Sequence, residues 1–197
     1  MSPTNLVYMA LLAVAIFWAV GAYNRLIRLK NVIGNSFGQI DVQLKRRYDL
    51  IPNLVEATQK YLQREREPLE AVMVSRIQAL AASDAMRSRP THAPAVTALS
   101  MAEQALNGSL MRLFAVAEAY PELKADAAIR ALSEELTFTE NQVSFARQTY
   151  NEAVLDYNSA QGQFPALLIA RLFGFAPSAM LQATESPTEP RPVPIQM

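Results

Sequence analysis

Residues 129–164, IRALSEELTFTENQVSFARQTYNEAVLDYNSAQGQF, carry the pattern that decides the fold. Apolar and small side chains recur in alternating steps of three and four, which places them on one stripe of a helix. Heptad spacing sustained over about five repeats is typical of helices that pack side by side. The stripe comprises Ile129, Leu132, Leu136, Thr139, Val143, Ala146, Tyr150, Ala153, Tyr157, Ala160 and Phe164. We therefore predict a helix over residues 122–163, ended by Gly162 and Pro165. Its polar stripe members could bond across a bundle or lie at its edge.

The same spacing predicts two more long helices. The first has the stripe Phe37, Ile40, Leu44, Tyr48, Ile51, Val55, Thr58 and Leu62, which Leu69, Val72 and Met73 extend. Pro52 and Pro68 interrupt it, and because proline lacks a backbone donor we expect kinks or breaks there. The second covers residues 94–119, with the stripe Leu99, Leu106, Leu110, Leu113 and Ala117. No stretch alternates as a strand would, so we predict an all-α fold, an antiparallel bundle of three long helices plus a short C-terminal helix.

An apolar segment, LVYMALLAVAIFWAVGA at residues 6–22, precedes the predicted bundle. With its uncharged flanks it is long enough to cross a bilayer core as a single helix. A cleaved signal peptide is the alternative, but it would need basic residues before the apolar stretch and a small-residue cleavage site after it. We therefore expect an uncleaved N-terminal transmembrane helix.

Basic residues indicate how this helix is oriented. Arg25, Arg28 and Lys30 follow the apolar segment, and no Lys or Arg precedes it. The positive-inside rule then places the N-terminus outside and the rest of the chain in the cytoplasm. We expect the chain to cross the membrane once.

Three regions follow from composition: an anchor (1–24), a helical-bundle domain (25–175) and a Pro-rich tail (176–197) expected to be disordered. Within the domain, residues 166–175, ALLIARLFGF, are too short to span a bilayer. They predict either a short helix that caps the bundle or an exposed patch that contacts lipid or a second copy.

Charge is distributed unevenly although the net charge is zero. Residues 1–48 carry six Lys or Arg and one Asp, whereas residues 49–197 carry twelve basic and seventeen acidic residues. Basic charge beside an anchor suits an anionic lipid surface. No broad basic face remains, which argues against nucleic acid as a partner.

Candidate chemistry is sparse in this sequence. His92 is the only histidine and there is no cysteine, so a Cys/His zinc site within one chain is excluded. No Gly-rich phosphate loop or nucleophile motif is present. Glu134, Glu135 and Glu140 could hold a hard cation, but their spacing equally suits a solvent-facing helix side. We therefore expect no catalytic residue, no cofactor and no metal.

Three stretches resemble the LemA family in family order. They are YNRLIRLKNVIGNSFGQIDVQLKRRYDLIPNLVEATQKYL (23–62), LFAVAEAYPELKA (113–125) and LSEELTFTENQVSFARQTYNEAVLDYNSAQGQFPALLIARLFGF (132–175). The resemblance implies a bacterial membrane protein with one N-terminal span and a helical bundle, which we expect in the inner membrane, and it implies no catalytic role for any residue. The family's distinctive polar positions match Gln39, Asp41, Gln43, Lys45, Arg46, Arg47, Asp49, Pro52, Asn53, Glu56, Glu118, Tyr120, Glu140, Asn141, Arg147, Tyr150, Asn151 and Tyr157.

A basic cluster within the first helix is the candidate interaction site. Lys45, Arg46 and Arg47, beside Asp49, could dock on an acidic helix of the same bundle or of a second copy. The acidic candidates are Glu118 with Glu122, and Glu134, Glu135 and Glu140. The expected function is a membrane-anchored, non-enzymatic scaffold that forms homo-oligomers or recruits an unknown membrane protein. The alternatives are a sensor or adaptor in envelope stress or membrane protein quality control, and a protein that shapes the membrane.

Overall fold

Six helices and no strand make up the regular structure of residues 3–181, the part of the chain that the computed structural model describes. They are α1 (Pro3–Gln59), α2 (Arg66–Ser88), α3 (Ala93–Ala117), α4 (Pro121–Ala125), α5 (Ala127–Gly162) and α6 (Ala166–Leu172). The all-α prediction is therefore confirmed.

Helix α1 is one unbroken helix of 57 residues. At about 1.5 Å per residue it is roughly 85 Å long. Its first third contains the apolar segment, where an 18-residue window has a mean hydropathy of 2.1 and is 0% buried. By length and composition this part can cross a membrane, and the remainder of the same helix enters the bundle core. The sequence had left this continuity open.

The break expected near Pro68 is present, and it changes the helix count. Helix α1 ends at Gln59 and α2 starts at Arg66, so Leu69–Met73 belong to a separate helix and the bundle has four long helices instead of three. Pro68 occupies the first turn of α2, where backbone N–H groups have no partner within the helix, so proline is tolerated there. At Pro52, by contrast, α1 continues without a break.

The four long helices alternate in direction. Helices α1 and α3 run away from the apolar segment, and α2 and α5 run back toward it. Helix α1 packs on both α5 and α2, and α2 packs on α3, while α3 and α5 are not a closely packed pair. The core follows the predicted stripes, with Phe37, Ile40, Tyr48, Leu106, Tyr150 and Tyr157 fully or almost fully buried.

Two tyrosines of the α5 stripe bond across the bundle. The Tyr150 hydroxyl donates to the carbonyl oxygen of Pro90 (2.9 Å), and the Tyr157 hydroxyl donates to that of Ala176 (3.0 Å). Thr139 instead donates to Leu136 one turn back in its own helix. The tyrosines therefore tie α5 to the α2–α3 loop and to the chain after α6.

The predicted third helix is divided in two by Asp126. The Asp126 carboxylate accepts hydrogen bonds from the backbone N–H groups of Ala128 (2.9 Å) and Ile129 (3.4 Å). A side-chain acceptor at this position starts a new helix, so residues 121–125 form the short α4 and α5 begins afterwards.

The domain also extends further than predicted. Residues 182–197 of the Pro-rich tail lie outside the described residues. Residues 176–181, however, lie against the bundle, with Ser178 and Leu181 buried. The boundary at residue 175 is therefore too early, because Leu181 belongs to the main hydrophobic core.

Candidate functional site

The basic cluster predicted as an interaction site lies midway along the part of α1 inside the bundle. Lys45 is exposed and lies 3.5 Å from Asp41, one turn earlier. Arg46 pairs with Glu135 on α5, and its guanidinium lies 5.8 Å from the ring centre of Phe138. Arg46 thus docks on α5, as the hypothesis of an acidic helix in the same bundle requires.

Arg47 is the buried member of the cluster, with 3% of its surface exposed. Its Nη1 donates to Glu103 Oε2 on α3 at 3.0 Å and lies 2.6 Å from Glu140 Oε2 on α5. Its Nη2 donates to the side-chain oxygen of Asn107. One guanidinium therefore bonds α1 to α3 and α5, two helices that do not pack closely on each other.

Tyr48 completes this buried network. Its hydroxyl donates to Glu103 Oε1 at 2.5 Å, so both oxygens of that carboxylate are satisfied. Burial raises the pKa of Glu103, although the nearby Arg47 charge opposes this shift. Burial, together with the Glu103 carboxylate, raises the pKa of Tyr48 as well. A cavity of about 30 Å³ lies beside Glu103 and Glu140. It can hold no more than about one water molecule.

A second polar cluster joins α1 to α2. Asp41 accepts two hydrogen bonds from Arg87, at 2.9 and 2.8 Å, and one from Ser83 at 3.0 Å. Burial alone would raise the pKa of Asp41, but these hydrogen bonds and the Arg87 charge outweigh it and hold the pKa below 3.8. The two-pronged Arg87 contact fixes the register of α1 against α2.

Three of the predicted interaction residues take no part in these clusters. Asp49, Glu118 and Glu122 are exposed and form no ion pair within residues 3–181. Glu118 and Glu122 lie at the far end of the bundle, where α3 and α4 meet. The acidic partners are instead Glu135 and Glu140, which sequence reasoning had included, together with Glu103.

Sequence reasoning missed Glu103. The available signal was its position, because it falls between Leu99 and Leu106 on the apolar stripe of α3. A carboxylate within a buried stripe requires a partner. Arg47, which follows the stripe position Leu44 by three residues, is that partner.

Three side-chain amides hold the chain after α6. The Asn151 amide accepts from the Leu181 N–H (2.9 Å) and donates to its carbonyl (3.0 Å), and Asn158 forms the same pair of bonds with Ser178 (both 2.9 Å). Gln161 donates to the carbonyl of Phe175. Sequence reasoning missed this arrangement, although Asn151 and Asn158 are one heptad apart and follow the buried Tyr150 and Tyr157.

No group of three or more His, Cys, Asp or Glu side chains within the described part of the chain is placed to hold a metal ion. The larger cavities are open grooves at the two ends of the bundle. One of about 750 Å³ lies between α1 and the α2–α3 loop, bordered by Lys30, Arg89 and His92. The other, of about 550 Å³, lies between the end of α1 and the start of α2.

Comparison with known proteins connects this bundle to one family. The model of the LemA family matches residues 36–195, which is most of the chain and starts after the apolar segment. No curated protein matches the chain.

Proposed function

From the premise that this chain belongs to the LemA family, we propose that it is a membrane-anchored, non-enzymatic helical scaffold of the bacterial inner membrane. In this proposal it self-associates or recruits a partner membrane protein. The observation that carries the proposal is the continuity of α1, whose apolar third leads into the bundle core without a break. A helix shared in this way would join the bundle rigidly to the span and hold it at a fixed height above the bilayer.

Charge supports a cytoplasmic location for the bundle. The end next to the apolar segment, which we call the proximal end, comprises residues 25–40, residues 85–97 around the α2–α3 loop, and residues 158–181. These stretches contain no Asp or Glu, but they contain Arg25, Arg28, Lys30, Arg89 and Arg171, besides Arg87, whose charge is paired with Asp41 and Asp84. Basic residues close to a span favour the cytoplasmic side, where anionic lipids attract them.

The polar interior supports a structural role. The buried charges of Arg47, Glu103 and Asp41 face one another or partner side chains, and the adjoining cavity is too small for a substrate. Networks of this kind fix helix register, which is a property a scaffold needs.

Exposed apolar side chains on α5 support a binding role. Phe138 and Phe145 are one heptad apart on its outer face, and Phe145 is 70% exposed. Aromatic side chains presented in this way are typical of surfaces that contact another protein.

The proposal is tested by light scattering of the full chain in mild detergent beside the soluble fragment 25–181, together with cross-linking in cells. The fragment ends at 181 because Leu181 is buried. We expect a defined oligomer of the full chain, or a cross-linked membrane partner. A monomeric full chain from which cross-linking recovers no partner would overturn the proposal.

A sensor or adaptor role is the second candidate, and the same continuity of α1 favours it. A change in bilayer thickness or tension that tilts the span would move the bundle directly. Replacing residues 6–22 with an unrelated apolar segment should then abolish signalling output while circular dichroism shows an intact bundle. Unchanged output would leave the scaffold as the better account.

A further inference from the structure

Helix α6 lies beside the end of the apolar segment. Its inner residues Ile169 and Ala170 form a small core with Leu26 of α1, against which Ala19, Ala22 and Tyr23 also pack. The Tyr23 ring is 4.9 Å from that of Phe173 and 5.6 Å from that of Phe175. Part of the C-terminal chain therefore sits at the depth where α1 would leave the bilayer.

Phe164, just before α6, lies at the same depth. It borders a groove of about 320 Å³ whose other wall includes Trp18, Gly21 and Ala22 of the apolar segment. Trp18 and Tyr23 are residue types that favour the membrane–water interface. The start of α6 is thus level with the last turn and a half of the segment proposed to cross the membrane.

The outward side of this region is apolar. Phe164 is 81% exposed and Leu172 is 76% exposed, and Leu168 and Phe173 are also exposed. We call these four residues the α6 patch. Leaving four large apolar side chains together in water is unfavourable, so the patch indicates a surface that another phase or molecule covers.

Charge around the α6 patch identifies what covers it. Arg171 on α6 and Arg25 and Arg28 on α1 are exposed close by, and residues 3–40 and 157–181 contain no acidic side chain. Apolar side chains edged by arginine are what an amphipathic element needs to lie between acyl chains and anionic phosphates.

We propose that the α6 patch is embedded in the interfacial region of the membrane beside the span, with Arg25, Arg28 and Arg171 at the level of anionic phospholipid headgroups. This rests on the proposed anchoring of α1, since the patch reaches lipid only if residues 6–22 cross the bilayer. Attachment at two points, the span and α6, would fix the tilt and rotation of the bundle, which a single span leaves free.

Depth measurement by spin labelling tests the proposal on the full chain, which contains no native cysteine. Four single-cysteine variants, Leu172→Cys, Leu168→Cys, Val14→Cys and Phe145→Cys, are labelled with a nitroxide. They are placed in vesicles of phosphatidylcholine and phosphatidylglycerol. Collision of each label with oxygen, which concentrates in lipid, is compared with collision with a water-soluble nickel chelate. All four positions are exposed within the described chain, so the substitutions should preserve folding.

We expect the labels to report three different depths. Val14 should show the depth of the acyl chains, Leu168 and Leu172 should favour oxygen at shallow depth, and Phe145 should favour the nickel chelate. If Leu168 and Leu172 instead match Phe145 while Val14 is in lipid, the α6 proposal is wrong and the anchor stands. If the labels at Leu168 and Leu172 are shielded from both oxygen and the nickel chelate, a protein surface covers the patch, which also overturns the proposal. If Val14 itself is in water, the anchoring in the proposed function fails.

Discussion

Arg47 is the buried charged residue of α1 that bonds to both α3 and α5. It lies between Glu103 on α3 and Glu140 on α5, whereas the exposed Arg46 pairs only with Glu135 of α5. Two carboxylates facing one guanidinium make its removal costly, because both would remain without their cation. Replacing Arg47 therefore tests how much this network stabilises the bundle.

We predict that Arg47→Met lowers the free energy of unfolding of the 25–181 fragment by about 3–5 kcal/mol, since it leaves the buried Glu103 carboxylate without its cation. The matched control, Lys45→Met, removes an exposed charge of the same cluster and should cost less than about 1 kcal/mol. Urea unfolding followed by circular dichroism measures both. Equal effects of the two variants would show that the Arg47 network does not hold the bundle together.

The lowered pKa of Asp126 lets us predict how the stability of the fold responds to acid. Hydrogen bonds from Lys60 and Tyr61, and from backbone N–H groups of α5, hold the pKa of its carboxyl below the usual 3.8. A folded-state pKa below the unfolded value means that this stabilisation is present above about pH 4 and is lost as the pH falls further. Asp41 contributes with the same sign, and Glu103, whose pKa is raised, contributes with the opposite sign.

Asp126→Asn should therefore reduce the loss of Tm on going from about pH 5 to pH 3, while asparagine keeps the helix cap. Asp49→Asn is the control, because Asp49 is exposed and has no ion pair within residues 3–181. Differential scanning calorimetry across this range gives the comparison. An Asp126→Asn curve parallel to that of the wild type would contradict the assigned role.

At the residue scale, the opposite charges on α1 and α5 are visible in the sequence. The basic cluster suggested docking on an acidic helix, and Arg46 and Arg47 contact Glu135 and Glu140. Glu118 and Glu122, the other acidic candidates, lie at the far end of the bundle and do not contact the cluster within residues 3–181. Spacing along a sequence places residues on a helix face but does not fix which end of a neighbouring helix lies opposite.

At the scale of elements, a contact from α2 explains why α1 tolerates Pro52 in its interior. Proline has no N–H, so the carbonyl oxygen of Tyr48, four residues earlier, lacks its partner within the helix. Arg76 of α2 donates its Nε to that oxygen at 2.5 Å. A side chain of α2 thus supplies the hydrogen bond that Pro52 cannot donate within α1.

This arrangement predicts a coupling between two positions. Arg76→Met should cost about 1–3 kcal/mol in the natural chain, because it leaves the Tyr48 carbonyl unsatisfied. It should cost much less in a Pro52→Ala background, where residue 52 regains an N–H to donate. A double-mutant cycle from urea unfolding measures the difference. Equal costs in both backgrounds would exclude the coupling.

The chain after α6 provides a second test at this scale. Leu181 is 6% exposed, whereas its neighbour Met180 is 44% exposed. Leu181→Ala should lower the free energy of unfolding by about 2 kcal/mol, and Met180→Ala, the control, should change it by less than about 0.5 kcal/mol. Thermal unfolding of the 25–181 fragment compares them, and similar values would mean that residues 176–181 do not belong to the folded domain.

Helix type and the buried stripes were predictable because heptad spacing is a local property. The ends of the helices and of the domain were less predictable. Pro68 favoured a break but did not distinguish a kink from a new helix, and proline and polar content after residue 175 suggested disorder. The amides of Asn151 and Asn158 hold residues 176–181 against α5 through contacts between residues far apart in sequence, which composition does not reveal.

At the scale of the whole molecule, the protein is organised along one axis. The apolar segment and the basic proximal end lie at one end, and the α1–α2 connection and α4 lie at the other. The apolar segment and the bundle were each foreseeable from sequence, but their relation was not, because nothing between residues 22 and 37 distinguishes a flexible linker from a helix. The structure resolves this in favour of one helix.

The central claim is that the span and the bundle are one rigid unit, and an electron-spin distance measurement tests it most directly. Nitroxide labels at Ile16→Cys and Val32→Cys, two exposed positions of α1 sixteen residues apart, are measured in lipid nanodiscs. The account predicts a single narrow distribution centred above about 24 Å, which is the axial rise over sixteen residues of an unbroken helix, because the two labels lie on nearly opposite sides of that helix. The α5 pair Phe138→Cys and Leu155→Cys, which lies wholly within the bundle, sets the width expected for a rigid helix. A distribution from the α1 pair that is broader than this control, or that has several maxima, would show a hinge between membrane and bundle and contradict the account.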